Sequence, residues 1–249
     1  MNTKIKIKVI ALSIIIVACF AACSKNYITG GTTQNVNLYK STSTYDVLTK
    51  FQEFDTLVQL IDAAGLKDKI NEQGTTLFAI SNQSVNFYLQ LRTLYLQNTV
   101  DIYAKFDLDS LTYYLKNNIN HTADSMSMYL VKTITTPQNL TGIGTIYPTE
   151  LAGDSAIISY EPTKDPNLGY SSIVSTAPRI VYFTQLWQHY NINGNDSTAA
   201  DVPSSTGVHT LVSTSFLNTQ NGVINVLTPG RSSSTTFIGT TLFFYGTRQ

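Results

Sequence analysis

The chain has 249 residues, in which 16 basic side chains balance 16 acidic ones. Only 13% of residues are charged, and Ser, Thr, Asn and Tyr are abundant. The balance excludes the basic surface that nonspecific nucleic-acid binding requires. The composition suits a β-rich domain with polar, uncharged faces.

The first element is an address. Lys4, Lys6 and Lys8 precede an apolar run from Val9 to Phe20. That run is shorter than the ~20 residues a membrane span needs. It ends in Phe20-Ala21-Ala22-Cys23, which resembles the lipobox of bacterial lipoprotein signal peptides. The resemblance implies cleavage after Ala22, with residues 1–22 as signal peptide, and a diacylglycerol, with acyl chains such as palmitate, on the Cys23 thiol. Ser24, following the cysteine, implies the outer membrane, facing either the periplasm or the exterior. Cys19 would leave with the signal, so the mature domain would hold no free thiol for a disulfide or a nucleophile. Three of the 16 basic residues leave too, so 13 would face 16 acidic ones.

Residues 23–43 are polar and without period, and read as a flexible tether. A helix is expected from Ser43 or Thr44, with Tyr45, Leu48 and Phe51 on one face. Phe54, Leu57, Val58, Ile61 and Ala64 recur at spacings of three and four and predict a second helix, closed by Gly65. Leu66 to Ile70 predicts a short third. Thr76 to Ile80 alternates as a strand, and Ser81 or Asn82 can cap the helix after it. There Val85, Phe87, Leu89 and Leu96 are the core-facing residues. A further helix is expected from Asp109 or Ser110, burying Leu111, Tyr114 and Leu115. From Met126 the period changes to two. Met128, Leu130 and residues 131–134 read as strand, as do Ala156 to Tyr160 and Ile180 to Thr184. Asn221 and Gly222 make a turn into the apolar strand Val223 to Leu227. Thr236 to Tyr245 reads as a last strand, expected to pair with the main sheet because so apolar an edge invites aggregation if unpaired. Helices first and strands later predict an α+β fold.

Two stretches carry a family resemblance. TTLFAISNQSVNFYL, Thr75 to Leu89, resembles the first motif of the fasciclin domain family, with Ile80 where the family has proline. NGVINVL, Asn221 to Leu227, resembles the second, with Asn225 where many members carry histidine. The family's tyrosine-histidine pair is matched here by asparagines, within Lys116-Asn117-Asn118-Ile119. The resemblance spans Thr44 to Pro229. It implies a β-sandwich or wedge with N-terminal helices packed along it, an insertion around 141–207 and a C-terminal strand extension at 230–249. Within it Phe78, Asn82, Asn221 and Gly222 are structural: Phe78 fills the core, Asn82 caps the helix that it begins, and Gly222 supplies a positive φ. The resemblance implies an adhesion or binding module.

The chemistry-bearing residues point to binding over catalysis. His121, His189 and His209 show no metal-ligand spacing, and no Cys/His cluster, nucleophile elbow or phosphate loop is present. Asp107 and Asp109 are explained by a helix N-terminus. Asn191, Asn193, Asn195, Asp196 and Asp201 are many oxygen donors in one stretch, yet they lack the central glycine and final glutamate of a calcium loop and read as a solvated loop. No cofactor and no metal are expected. The segment Arg179 to Tyr190 holds Tyr182, Phe183, Trp187, His189 and Tyr190. Aromatic faces flanked by amides suit a neutral sugar, so Tyr182, Trp187, His189 and Tyr190 are candidate ligand-binding residues. The alternative is that about half of them fill the core, with Val181 and Phe183 on the opposite face from Tyr182 and Thr184. The expected partners are the membrane, through the lipid, and an extracellular protein or glycan. Two readings remain open beside an adhesion module: a glycan-binding accessory lipoprotein of a nutrient-uptake system, and, less favoured, a hydrolase whose site assembles from distant residues.

Overall fold

Helices come first, as the three-and-four spacing demands. A computed structural model describes residues 35–173, 175–192 and 197–229, with short strands at 231–233 and 236–238. The signal segment, Cys23, the middle of the Asn191–Asp201 loop and the chain beyond Ile238 lie outside the described residues. Helix α1, Thr44–Leu48, is capped by Ser43, whose hydroxyl accepts from the Asp46 amide. Helix α2, Asp55–Ala64, ends on Gly65 at φ 67°. That left-handed conformation costs a non-glycine residue about 1–2 kcal/mol. Helix α3, Lys67–Ile70, follows, and strand β1, Thr75–Ala79, is buried at every position.

Helix α4, Asn82–Thr99, is long and only weakly amphipathic. Helix α5, Leu108–Lys116, starts two residues before the expected caps, on Asp107, whose carboxylate accepts from the Ser110 amide and hydroxyl. Helix α6, Thr122–Met126, and a single 3-10 turn, Ser127–Tyr129, replace most of the strand expected from Met126. Only Leu130–Val131 is extended, as β2. Met126, Met128 and Leu130 are all buried, so their alternation reported burial rather than strand geometry.

The remaining strands are β3 Thr145–Pro148, β4 Ser155–Pro162, β5 Arg179–Leu186, β6 Gly207–Asn218 and β7 Gly222–Leu227. They join β1 and β2 in one seven-stranded mixed sheet of order β2-β1-β7-β6-β5-β4-β3. The stretch 141–207 thus supplies three strands of the same sheet. The two motif strands are neighbours: β1 and β7 pair in parallel from Thr75 opposite Gly222 to Ala79 opposite Val226. Both are buried along their whole length, the pattern of strands covered on both faces. The sheet curls strongly. Phe78 on β1 stacks on Phe183 of β5 at 4.4 Å between ring centroids. Three strand spacings separate β1 from β5, which would be about 14 Å in a flat sheet.

Several expectations need correction. Residues 35–43, read as tether, lie against the domain: Asn218 donates to Val36, Gln220 donates to Thr42, and Tyr39 bridges to Thr219. Asn82 does not cap its own helix. Its side-chain oxygen accepts from the Thr56 amide and its nitrogen donates to the Gln52 carbonyl, so it caps α2 from across the fold. Gly222 has no positive φ; a Cβ there would sit 2.1 Å from the Thr75 carbonyl oxygen, so glycine is required by close strand approach. The strand at the C-terminus pairs elsewhere: β9, Thr236–Ile238, forms a two-stranded hairpin with β8, Arg231–Ser233. Strand β6 has no counterpart in the sequence reading. Its pairing with β7 is irregular between Val212 and Leu217. There Phe216 adopts φ 61°, and its amide donates to the buried side-chain oxygen of Asn225, whose nitrogen donates to Thr135.

The asparagines at the end of α5 also take structural roles. Asn118, at φ 45°, accepts from the Ala123 amide and donates to the Asp124 carboxylate. Asparagine tolerates the left-handed region through such local bonds. The Asn118 amide, and next the His121 ring, hold the Asp124 carboxyl below its usual range. A depressed carboxyl contributes stability that is present above its unfolded pKa of about 3.9 and is lost as pH falls through the folded value. Asn118→Ala is therefore expected to raise the Asp124 titration midpoint toward the unfolded value, followed by NMR. The stability gap to wild type should be full at neutral pH and narrow on acidification, leaving the cost of alanine at a positive φ. A gap that persists unchanged in acid would show that Asn118 acts through backbone geometry alone.

Candidate functional site

Strand β5 sorts its side chains by alternation. Val181, Phe183 and Gln185 are buried, and Phe183 enters the main core against Phe78 and Tyr129. On the opposite face Leu186 packs with Ile157 and Ala199 in a small second core, covered by Tyr190, Ile192 and Val202. Beyond Leu186 the chain folds back over this second core. The amides of Trp187 and Gln188 both donate to the Thr206 carbonyl. The Trp187 indole nitrogen donates to the Ser205 carbonyl at 2.7 Å, so the ring is held half-buried in one orientation.

Beside that ring lies a cleft of about 250 Å³. Trp187, Gln188, His189 and Tyr190 line one side, and Ile146 and Asp154 line the other. Asp154 is positioned by its turn. Thr149 donates its hydroxyl to the carboxylate at 2.8 Å and its amide to the Asp154 carbonyl. Gln188 and His189 are exposed, so an amide and an imidazole stand free to reach a ligand. The cleft is therefore bordered by two aromatic residues together with a carboxylate-, an amide- and an imidazole-bearing residue.

Three of the four candidate residues meet at this cleft. Tyr182 does not. Its ring stacks on His209 at 4.3 Å and 13°. Burial, then the Glu161 and Asp165 carboxylates, pushes its phenol above the ordinary value. The neighbourhood of His209 was not legible in the sequence. Thr184 Oγ1 lies 2.7 Å from His209 Nδ1, His209 Nε2 lies 3.5 Å from Glu161 Oε1, and the Ser159 hydroxyl donates to the same carboxylate oxygen at 2.6 Å. Hydroxyl, imidazole and carboxylate stand in the order of a nucleophilic triad. Thr184 and Ser159, however, have no exposed surface, so neither hydroxyl can reach a substrate as it stands. Strand pairing sets Thr184 opposite His209. No local motif records such a pairing, which is why sequence spacing missed it. Among the described residues no group of three or more His, Cys, Asp or Glu side chains could hold a metal ion.

No family model matches the sequence, and no curated protein matches it. Among solved structures, the chain is similar to a FAS1 domain pair from the insect cell adhesion molecule fasciclin I. The identity is 13% and the TM-score 0.38, with 70% of this chain aligned to 43% of that one. The chain thus spans less than half the length of that domain pair.

The predicted structural residues occupy defined places around the site's scaffold. Asn221 accepts from the Thr44 amide at 3.4 Å, and its carbonyl accepts from Gly74 at 2.8 Å, tying the β6–β7 turn to α1 and to the start of β1. Phe78 is 1% exposed. Neither faces the Trp187 cleft, and neither do Asn82 and Gly222; none of them lines it.

Proposed function

We propose that this chain is a non-catalytic, fasciclin-like binding module of the bacterial cell envelope, anchored by lipid on Cys23, and that the Trp187 cleft takes a neutral glycan. The observation that carries the reading is the fixed indole beside the 250 Å³ cleft. A sugar ring offers an apolar face for stacking and hydroxyls for hydrogen bonds; Trp187 and Tyr190 supply the first, Asp154 and Gln188 the second. Pre-fixing the indole lowers the entropy lost on binding. The cleft falls just below the usual size of ligand sites, roughly 300–1,000 Å³, which suits one ring with the chain continuing into solvent. The fasciclin-like part of the reading rests on the two motif strands, which pair in parallel within the sheet of the α+β fold. An exterior-facing module would serve adhesion. A periplasmic or surface one beside a transporter would serve nutrient uptake; the cleft is compatible with both.

Calorimetry against a glycan panel tests the proposal. Trp187→Ala should weaken binding at least about tenfold, or about 1.4 kcal/mol, as should the exposed-site change Gln188→Ala in lesser degree. Equal affinity in wild type and both variants would remove the cleft from the account. Anchoring is tested separately by labelled palmitate, which should enter the wild-type chain and be lost in Cys23→Ala; label surviving that change would refute it.

A further inference from the structure

The end of α4 carries a built apolar knob that the fold does not use. After Thr99 the chain turns back along its own helix. Val100 and Asp101 donate to the Leu96 carbonyl, Gln97 donates its side-chain amide to Ala104, and Thr93 and Phe106 exchange two hydrogen bonds of 3.0 Å. The Asp101 carboxylate is turned onto the Tyr103 amide. A turn stapled this closely can hold side chains in water against their preference. It holds Val100 at 74% exposure, Ile102 at 72% and Tyr103 at 88%, beside Leu94 at 54% and Tyr95 at 50% on the helix that it follows. Exposed apolar clusters of this kind mark docking sites.

The geometry points to a lipid bilayer as the occupant, with the knob as a second, non-covalent membrane contact. The inference rests on the lipid-anchor reading. Two observations favour a bilayer over a protein. Residues 36–42 are docked on the domain, so at most Ser24 to Asn35 separate Cys23 from it. Fully extended, a dozen residues span only ~40 Å. That is about the diameter of a domain this size, so the tether keeps the domain close enough for the knob to reach the surface that holds the lipid. The chemistry also fits. Tyr95 and Tyr103 are the amphipathic rings favoured at the headgroup level, beside the aliphatic Leu94, Val100 and Ile102. Arg92, whose guanidinium lies 5.1 Å from the Tyr95 ring, flanks them with positive charge suited to anionic headgroups, while the exposed Lys105 is paired with Asp107 at 3.4 Å. Apolar side chains buried at the bilayer interface add to the hold of the lipid on Cys23.

The test places one cysteine on the exposed, polar Asn98 beside the knob and a control on the exposed Ser204. Each is labelled with an environment-sensitive nitrobenzoxadiazole dye on the mature chain. Phosphatidylethanolamine–phosphatidylglycerol vesicles are then added. A blue shift and quenching by doxyl-labelled lipid at position 98, but not at 204, is the expected result. Val100→Ser with Ile102→Ser should cut the quenched fraction roughly tenfold. A position-98 dye that stays aqueous on vesicles overturns the inference. So does a shift that requires an added envelope protein in place of lipid. Palmitate on Cys23 with an aqueous dye would refute the knob alone; absence of palmitate would refute the anchor.

Discussion

Gly222→Ala is expected to destabilise the fold more than any other single methyl addition considered, by at least about 4 kcal/mol. The reason is the parallel pairing of the two motif strands. A Cβ at residue 222 would lie 2.1 Å from the carbonyl oxygen and 3.0 Å from the carbonyl carbon of Thr75. Both are backbone atoms within a ladder, so neither can rotate away. Relief requires β1 and β7 to part at Thr75–Gly222, the first pair of their register. Gly222 also donates its amide to Thr219 Oγ1 and accepts at its carbonyl from the Thr219 amide, so the same shift strains the β6–β7 turn. Gly65→Ala is the control. It places a methyl in open space at φ 67°, with only the left-handed backbone penalty of about 1–2 kcal/mol. Urea melts of the two variants separate the explanations. A Gly222→Ala cost no larger than that of Gly65→Ala would mean that backbone freedom, not strand approach, selects glycine at 222.

That glycine shows where sequence reading stops. The Asn-Gly pair was legible as a turn into a strand, and the turn is there. The reason for glycine was not, because it lies in a strand that begins 147 positions earlier, at Thr75. Asn82 repeats the lesson: its place at a helix start is local, but the amide that it satisfies belongs to Thr56 on another helix. Local signals served well where the cause is local. Gly65 ends α2, Ser43 caps α1, and the three-and-four spacing of Leu57, Val58 and Ile61 marks a helix. They failed at residues 126–129, where burial on a tight helical turn mimics alternation, and held only at Leu130–Val131. At the cleft, Trp187, His189 and Tyr190 are near neighbours in sequence and were found together. Asp154 and Ile146 come from across the sheet and were not. Tyr182 was grouped with them by proximity along the chain, yet strand alternation and β5–β6 pairing carry it to His209.

The second large effect tests the curl of the sheet. Phe78→Ala is expected to cost about 3–5 kcal/mol, a large share of the 5–15 kcal/mol that holds a typical domain. Phe78 is 1% exposed and stacks on Phe183, whose other neighbour is Tyr129 at 6.1 Å. The three rings join β1, β5 and the turn before β2. Truncating Phe78 therefore opens a cavity and also removes the contact that holds two non-adjacent strands of one sheet together. Phe183→Ala should cost a similar amount. The double variant separates packing from closure. Rings in contact should show a coupling of about 0.5–1.5 kcal/mol, so that the double variant costs less than the two single ones combined. Strict additivity would mean that the rings do not meet and that the sheet is flatter than described. The consequence reaches the cleft. Phe183 and Leu186 lie on the same strand, facing the main core and the second core in turn. A sheet that relaxes at Phe183 is expected to loosen the Leu186–Trp187 segment as well. Phe78→Ala should then weaken glycan binding from across the sheet, and Trp187→Ala should leave the melting midpoint far less changed than Phe78→Ala does.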